Sequence, residues 1–235
     1  SAIVALEKLN IQTSQFNDQV IFEPGFLRTG QGNPFSVFTP FKRRWVENFE
    51  MNFLDIPQPD RSKKASSIKS NLTDLKFVKY HLANINLWPA GEAAAQERLS
   101  NFLQSKADLY SESRNSPIID GTSRISPYLA LGILSPKRCI LEGLKLNNFE
   151  FTSGNKGICK WIDEIIWREF YRNIMYSFPR VSQNKPFQDY TNAIKWRHSN
   201  TELKAFYEGK TGFPIVDAGI RQMLAEGWMH NRLRM

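Results

Sequence analysis

Between positions 161 and 172, apolar and polar residues fall on two separate arcs. At about 100° per residue, Ile162, Ile166 and Phe170 share one arc, while Trp161, Glu164, Arg168 and Tyr171 share another with Trp167 at its edge. The pattern predicts a helix with two faces that look buried, only one of them apolar. Its bland reading is a core helix whose Glu164 and Arg168 form an i,i+4 surface pair, and the segment by itself favours that reading.

Residues 1–10 read as the end of an amphipathic helix, and 18–22, closed by Pro24-Gly25, as a short strand. A helix and one strand cannot bury each other, so this start reads as a cut through a larger α/β unit. Residues 29–34 are turn chemistry. Residues 35–45 begin extended and pass into a helix that Thr39 caps and Pro40 starts, with Lys42, Arg43 and Arg44 as a solvated basic edge. From 52 to 87 the chain is polar with few periodic apolar positions, a long linker. The helical part begins at 90–103, with Ala93, Leu99, Phe102 and Leu103 as its stripe. Pro127 starts an apolar helix, Ser135-Pro136 starts another, and 154–160 is a loop ahead of 161–172. Phe178-Pro179 and Lys185-Pro186-Phe187 break the helical run, and 193–196 is another short element. Thr201 or Asn200 caps a helix over 201–207, and Asp217 caps a last one with Ile220, Met223 and Leu224 inward.

Composition narrows the class. With 235 residues and 41% hydrophobic content the chain can bury a sizeable core. No apolar run approaches the roughly 18 residues needed to cross a bilayer, and the first residues lack a signal peptide's basic and apolar regions, so the chain reads as soluble and intracellular. Cys139 and Cys159 are too few for a disulfide scaffold and read as reduced, small core residues. A net charge of +8 favours polyanionic partners. The 13% aromatic content interleaved with Arg and Lys suits stacked rings and phosphates, whether nucleic acid, flavin or nucleotide.

Candidate chemistry gathers at 120–132, where Thr122, Ser123 and Ser126 precede an apolar helix. Exposed N–H groups and hydroxyls at a helix start suit a phosphate. Ordinary capping by these residues explains part of the run and leaves Arg124 unused. Residues 209–214 lack the spacing of a phosphate-cradling loop, and 29–34 do not form a dinucleotide-binding glycine pattern.

Gly121-Thr122-Ser123-Arg124, Trp161-x-x-Glu164-x-x-Trp167-Arg168-Glu169-Phe170-Tyr171, Gly209-Lys210-Thr211-Gly212-Phe213-Pro214-Ile215-Val216-Asp217 and the closing run from Gly227 to Met235 together resemble the photolyase and cryptochrome family, in order and in spacing. Met235 closes the last of these where cryptochromes and (6-4) enzymes carry His, so the chain is most similar to the class I bacterial photolyases. The resemblance implies a mainly α fold: the tail of an α/β antenna domain over 1–25, a linker and connecting helix over 26–89, and the N-terminal part of a helical FAD-binding domain over 90–235. It also implies a central fragment, cut at both ends. Ser182-Gln183 stands where folate-binding relatives carry a Cys-Lys pair, so no antenna pigment is expected.

For the parent protein the resemblance implies a lyase that splits cyclobutane pyrimidine dimers by light-driven electron transfer from reduced FAD. Tyr110, Thr122, Ser123 and Ser126 would hold the cofactor, with Trp161 and Arg168 alongside and Arg234 near its ring. Glu164 would hydrogen-bond the lesion and stabilise its radical anion, and Trp167 would stack on it. Asn231 and Met235 would complete the pocket wall, Asn231 also touching the cofactor. Arg114 and Arg232 would grip phosphates of UV-damaged DNA whose lesion is flipped out. Trp196 would be the surface end of an electron chain. The parent is expected to be monomeric, cytoplasmic and associated with the bacterial nucleoid. The alternatives are a cryptochrome-like photoreceptor that binds FAD without repair and a basic nucleic-acid-binding module without cofactor.

Overall fold

The computed structural model describes residues 2–14, 17–55 and 85–234. Most of the expected linker over 52–87, and Met235, lie outside the described residues. The architecture is mainly α, with no strand among the described residues. The helices are α1 (Ala2–Glu7), α2 (Phe38–Glu47), α3 (Glu92–Ser105), α4 (Tyr110–Ser113), α5 (Ser126–Ala130), α6 (Pro136–Leu146), α7 (Lys156–Ser177), α8 (Asn200–Tyr207) and α9 (Pro214–Glu226). None of them is long and apolar enough to cross a membrane.

At 22 residues, about 33 Å, α7 is the axis of the fold, with α2, α6 and the turn over 107–113 packed around it. Asn155 caps it by accepting from Ile158 N at 3.0 Å, so the helix starts at Lys156 and takes in most of the loop expected over 154–160. Trp161, Ile162, Ile165, Ile166 and Phe170 are buried along it. Close approach at its start depends on Gly157, where a Cβ would collide with the backbone carbonyls of Ala107 and Asp108.

The strand expected over 18–22 is not formed. Its backbone donors are taken by a side chain instead: Ile21 N and Phe22 N donate to the Glu169 carboxylate at 2.7 and 3.0 Å. Trp45 Nε1 donates to the same carboxylate at 2.9 Å, and Gly25 N donates to Asn173 Oδ1 at 2.8 Å. Burial pushes the Glu169 carboxyl up from its ordinary range, and these N–H donors oppose that shift.

Other expectations shift in detail. The extended Val37 precedes α2 without a side-chain cap, so Thr39 and Pro40 sit inside its first turn. Lys42 does not stay on a solvated edge but reaches Asp163 at 2.5 Å, leaving Arg43 and Arg44 outward beside Glu47. On α3 the buried positions are Ala95, Leu99 and Phe102, with Ala93 exposed. Ser199 caps α8 in place of Asn200 or Thr201. Asp217, on the first turn of α9, accepts from Thr211 N and Oγ1 at 2.7 and 2.6 Å and from Gly212 N at 3.2 Å. It therefore closes the preceding turn rather than capping its helix. The Thr211 hydrogen bond, first among the causes that favour the anion, holds its carboxyl below the usual range. The inner edge of α9 is Asp217, Gly219 and Ile220, and Met223 and Leu224 are exposed. Both cysteines are free, Cys139 buried and Cys159 partly so.

Candidate active site

Two neighbouring regions are built on the turn over 107–113, the loop over 115–125 and α7. In the first, Glu164 of α7 forms an ion pair with Arg114 just after α4. The partner expected from periodicity alone was Arg168, one turn along the same helix. Arg114 also lies 5.6 Å from the ring centroid of Tyr110. Tyr110 is buried, edge-on to Phe102 at 5.8 Å. Burial first, and the charge of Glu164 second, push its phenol up to about 12.

The chain returns to this region at its far end. Arg232 donates twice to Asn115 Oδ1, at 2.9 and 2.6 Å. His230 is buried and accepts the Arg232 backbone N–H on Nδ1 at 3.2 Å, while its Nε2 has no hydrogen-bond partner. Burial first, then Arg232 and Arg124, hold the imidazole below its ordinary value. Asn231 and Arg234 are exposed on the same turn, with Arg234 Nε donating to Met229 O at 3.0 Å.

In the second region a cleft of about 330 Å³ is lined by Thr122, Ser123, Arg124, Phe102, Lys106 and Asp120, among others. Ile125, not a hydroxyl residue, stands at the cap position of α5. Capping therefore does not account for Thr122, Ser123 or Ser126, and these hydroxyls have no hydrogen-bond partner among the described residues. Ser126 is exposed outside the cleft. Arg124 is employed: its guanidinium lies 4.6 Å from the Trp228 ring centroid and 3.4 Å from Glu226. Lys106 is paired with Asp120 at 2.6 Å and Arg124 Nε lies 3.2 Å from the same carboxylate, so the free hydroxyls offer donors that fit a phosphate-bearing cofactor such as FAD, while the two cations serve it as they exchange their carboxylate partners.

Two expected site residues, Trp161 and Arg168, are placed differently. Trp161 is 1% exposed beneath Phe102 and Gly143, so it supports the cleft from below and does not line it. Arg168 commits its donors to Gln19 O, Gln19 Oε1 and Leu129 O at 2.5, 2.7 and 3.2 Å. Burial first, and Arg172 second, lower its pKa. Trp167 stacks on Phe38, with centroids 3.7 Å apart and planes 9° from parallel. Trp196 is 74% exposed, as a surface position requires.

Sequence reasoning missed Glu169, His230, Gly157 and Phe38. Glu169 carried a signal: it lies seven positions after Ile162 and three after Ile166, which puts a carboxylate on the apolar face. Gly157 and Phe38 carried none, because their partners lie far away along the chain, and His230, with its partners close in sequence, is marked only by its burial.

Comparison with known proteins bears on these regions. A family model described as the FAD binding domain of DNA photolyase matches residues 161–235, and one described as DNA photolyase matches residues 2–61. The Escherichia coli deoxyribodipyrimidine photo-lyase is 37% identical over 227 residues, covering 96% of this chain and 48% of the relative. The Neurospora crassa deoxyribodipyrimidine photo-lyase is 37% identical over 238 residues, covering 93% of this chain and 38% of the relative. Among solved structures, a bacterial class III photolyase from Agrobacterium tumefaciens superposes with a TM-score of 0.86 at 31% identity, covering 98% of this chain and 48% of that one. A Synechocystis cryptochrome shares the fold, with a TM-score of 0.80 at 24% identity, covering 99% of this chain and 49% of that one. The chain spans about half the length, or less, of the relatives it matches. With a mainly α fold, a hydroxyl-lined cleft and a Glu164–Arg114 pair built on the helix where the FAD-binding match begins, this chain belongs to the photolyase/cryptochrome family.

Proposed function

We propose that the protein to which this chain belongs is a light-driven DNA repair lyase that uses FAD to split cyclobutane pyrimidine dimers in UV-damaged DNA. The observation that carries the reading is α7: one helix, most of it within the FAD-binding match, carries both Glu164, ion-paired with Arg114, and Trp167, which lines an apolar cleft with Phe38. When bound, FAD supplies the light-absorbing electron donor. Tyr110, Thr122, Ser123 and Ser126 would hold it, with Arg234 also contributing, while Trp161 and Arg168 act through the packing of α7. Glu164, parted from Arg114 and carrying a proton, donates a hydrogen bond to the lesion where negative charge develops. Trp167 stacks on it, and Asn231 and Met235 wall the pocket. Arg114 and Arg232 take backbone phosphates, which position the DNA without reading its sequence. Trp196 serves as the surface end of an electron path.

On this reading residues 1–25 belong to an α/β domain, 26–89 connect, and 90–235 begin the catalytic domain. The preference for cyclobutane dimers rests on Met235, and the parent protein acts as a monomer in the bacterial cytoplasm. The test is made on the full-length protein, by absorption spectroscopy and by blue-light repair of a dimer-containing oligonucleotide. Flavin bands and light-dependent loss of the dimer are expected. A flavin-containing protein under which dimers persist would point to a photoreceptor, and a protein that stays colourless after FAD is added would point to a cofactor-free binding module.

A further inference from the structure

Phe38 lies face to face with Trp167, centroids 3.7 Å apart and planes 9° from parallel. Two aromatic rings left to themselves prefer offset or edge-on arrangements, so packing holds this sandwich in place. Phe38, Lys42 and Trp45 lie at i, i+4 and i+7, one face of α2, and each meets α7. Lys42 reaches Asp163 at 2.5 Å, and Trp45 Nε1 donates to Glu169 at 2.9 Å. On the same side Phe41 packs on Phe170 at 5.3 Å. One buried hydrogen bond and one half-buried ion pair therefore fix the register of α2 on α7, and its first residue is delivered onto the indole.

We infer that Phe38 is the residue that positions Trp167: it covers one face of the indole, and with Tyr171 flanking the ring at 5.6 Å and 26° and Phe170 edge-on at 5.6 Å it holds the indole in a fixed plane for a pyrimidine ring to stack against. This rests on the reading that Trp167 stacks on the lesion. Phe38 touches neither lesion nor cofactor in this scheme and acts through the indole alone. A ring held in one plane loses less freedom when a base settles on it, which favours the damaged site over intact DNA. Phosphate contacts by Arg114 and Arg232 bear equally on damaged and undamaged strands.

The test compares dark dissociation constants of the full-length, FAD-containing protein for a dimer-containing oligonucleotide and for its undamaged counterpart. Phe38→Leu keeps apolar volume and removes the flat ring, whereas Phe38→Tyr keeps the ring. Loss of one aromatic pairing corresponds to about a threefold to tenfold drop in preference for damage. That drop is expected for Phe38→Leu, with affinity for undamaged DNA unchanged and preference retained in Phe38→Tyr. Preference at the wild-type level in Phe38→Leu, or an equal loss on both oligonucleotides, overturns the inference. Should Phe38→Leu not fold, Phe38→Met carries the same expectations. Trp167→Ala separates the two layers: preference retained there overturns the stacking reading itself, while preference lost there but kept in Phe38→Leu overturns only the role of Phe38.

Discussion

The Glu169 carboxylate accepts the backbone N–H of Ile21 at 2.7 Å across 148 positions of sequence. With Phe22 N and Trp45 Nε1 on the same carboxylate, one buried side chain ties the segment over 18–22, α2 and α7 together. Glu169→Ala would leave three buried donors without acceptors. A destabilisation on the order of 3 kcal/mol is expected in urea unfolding of the full-length protein. Glu169→Gln keeps one acceptor oxygen and should cost less, so equal stability of wild type and Glu169→Ala would contradict the clamp.

Gly157 sets how closely α7 lies on the turn that carries Tyr110 and Arg114. A Cβ there meets backbone, which cannot rotate away. Gly157→Ala is therefore expected to cost about 1–3 kcal/mol through overpacking and to weaken FAD retention, read by flavin release during thermal unfolding. Gly30, which has open space around the same built atom, is the control: Gly30→Ala should leave flavin retention unchanged.

His230 makes stability depend on pH. Its imidazole is held below the ordinary value of 6.5, by burial first and then by Arg232 and Arg124. Arg234 adds to the same effect. The unfolded chain thus takes up this proton at a higher pH than the folded one. The contribution of neutral His230 is full above 6.5 and is lost as pH falls through the lower folded value. His230→Asn keeps a side-chain acceptor for Arg232 N and removes the titration. Its stability should fall less between neutral and mildly acid pH, and slopes identical to wild type in urea titrations would contradict this.

Arg232 is exposed and held by Asn115 rather than by a carboxylate, leaving its charge free for DNA. Arg232→Gln should weaken binding to damaged and undamaged oligonucleotides alike. The slope of log K against log salt should fall by roughly 0.9. Loss confined to damaged DNA would place Arg232 on the lesion instead.

Much of this molecule is legible in the sequence wherever the signal is local. Pro136 after Ser135, the break at Phe178-Pro179, and the apolar arc of Ile162, Ile166 and Phe170 set their elements almost where they lie. The failures come from tertiary partners. Residues 18–22 have the residue types of a strand, yet Glu169 intercepts their donors. Lys42 looks like surface until Asp163 is placed beneath it. Met223 and Leu224 look inward by type, but the chain over 230–234 packs on Gly219 and turns the helix edge the other way. At the site, Glu164 stands out within its motif, while the Arg114 partnership spans 50 positions and has no local periodicity. Phe38 over Trp167 needs both helices in place before it exists at all.

On the proposed reading Glu164, held beside Tyr110 by its ion pair with Arg114, serves the lesion chemically in addition to that pairing. The measurement is the yield of blue-light repair per photon absorbed by the full-length protein on a dimer-containing oligonucleotide, wild type against Glu164→Ala. FAD content and dark affinity for undamaged DNA are matched between the two. A lower yield is expected in Glu164→Ala with both controls unchanged; a yield equal to wild type would overturn the role given to Glu164.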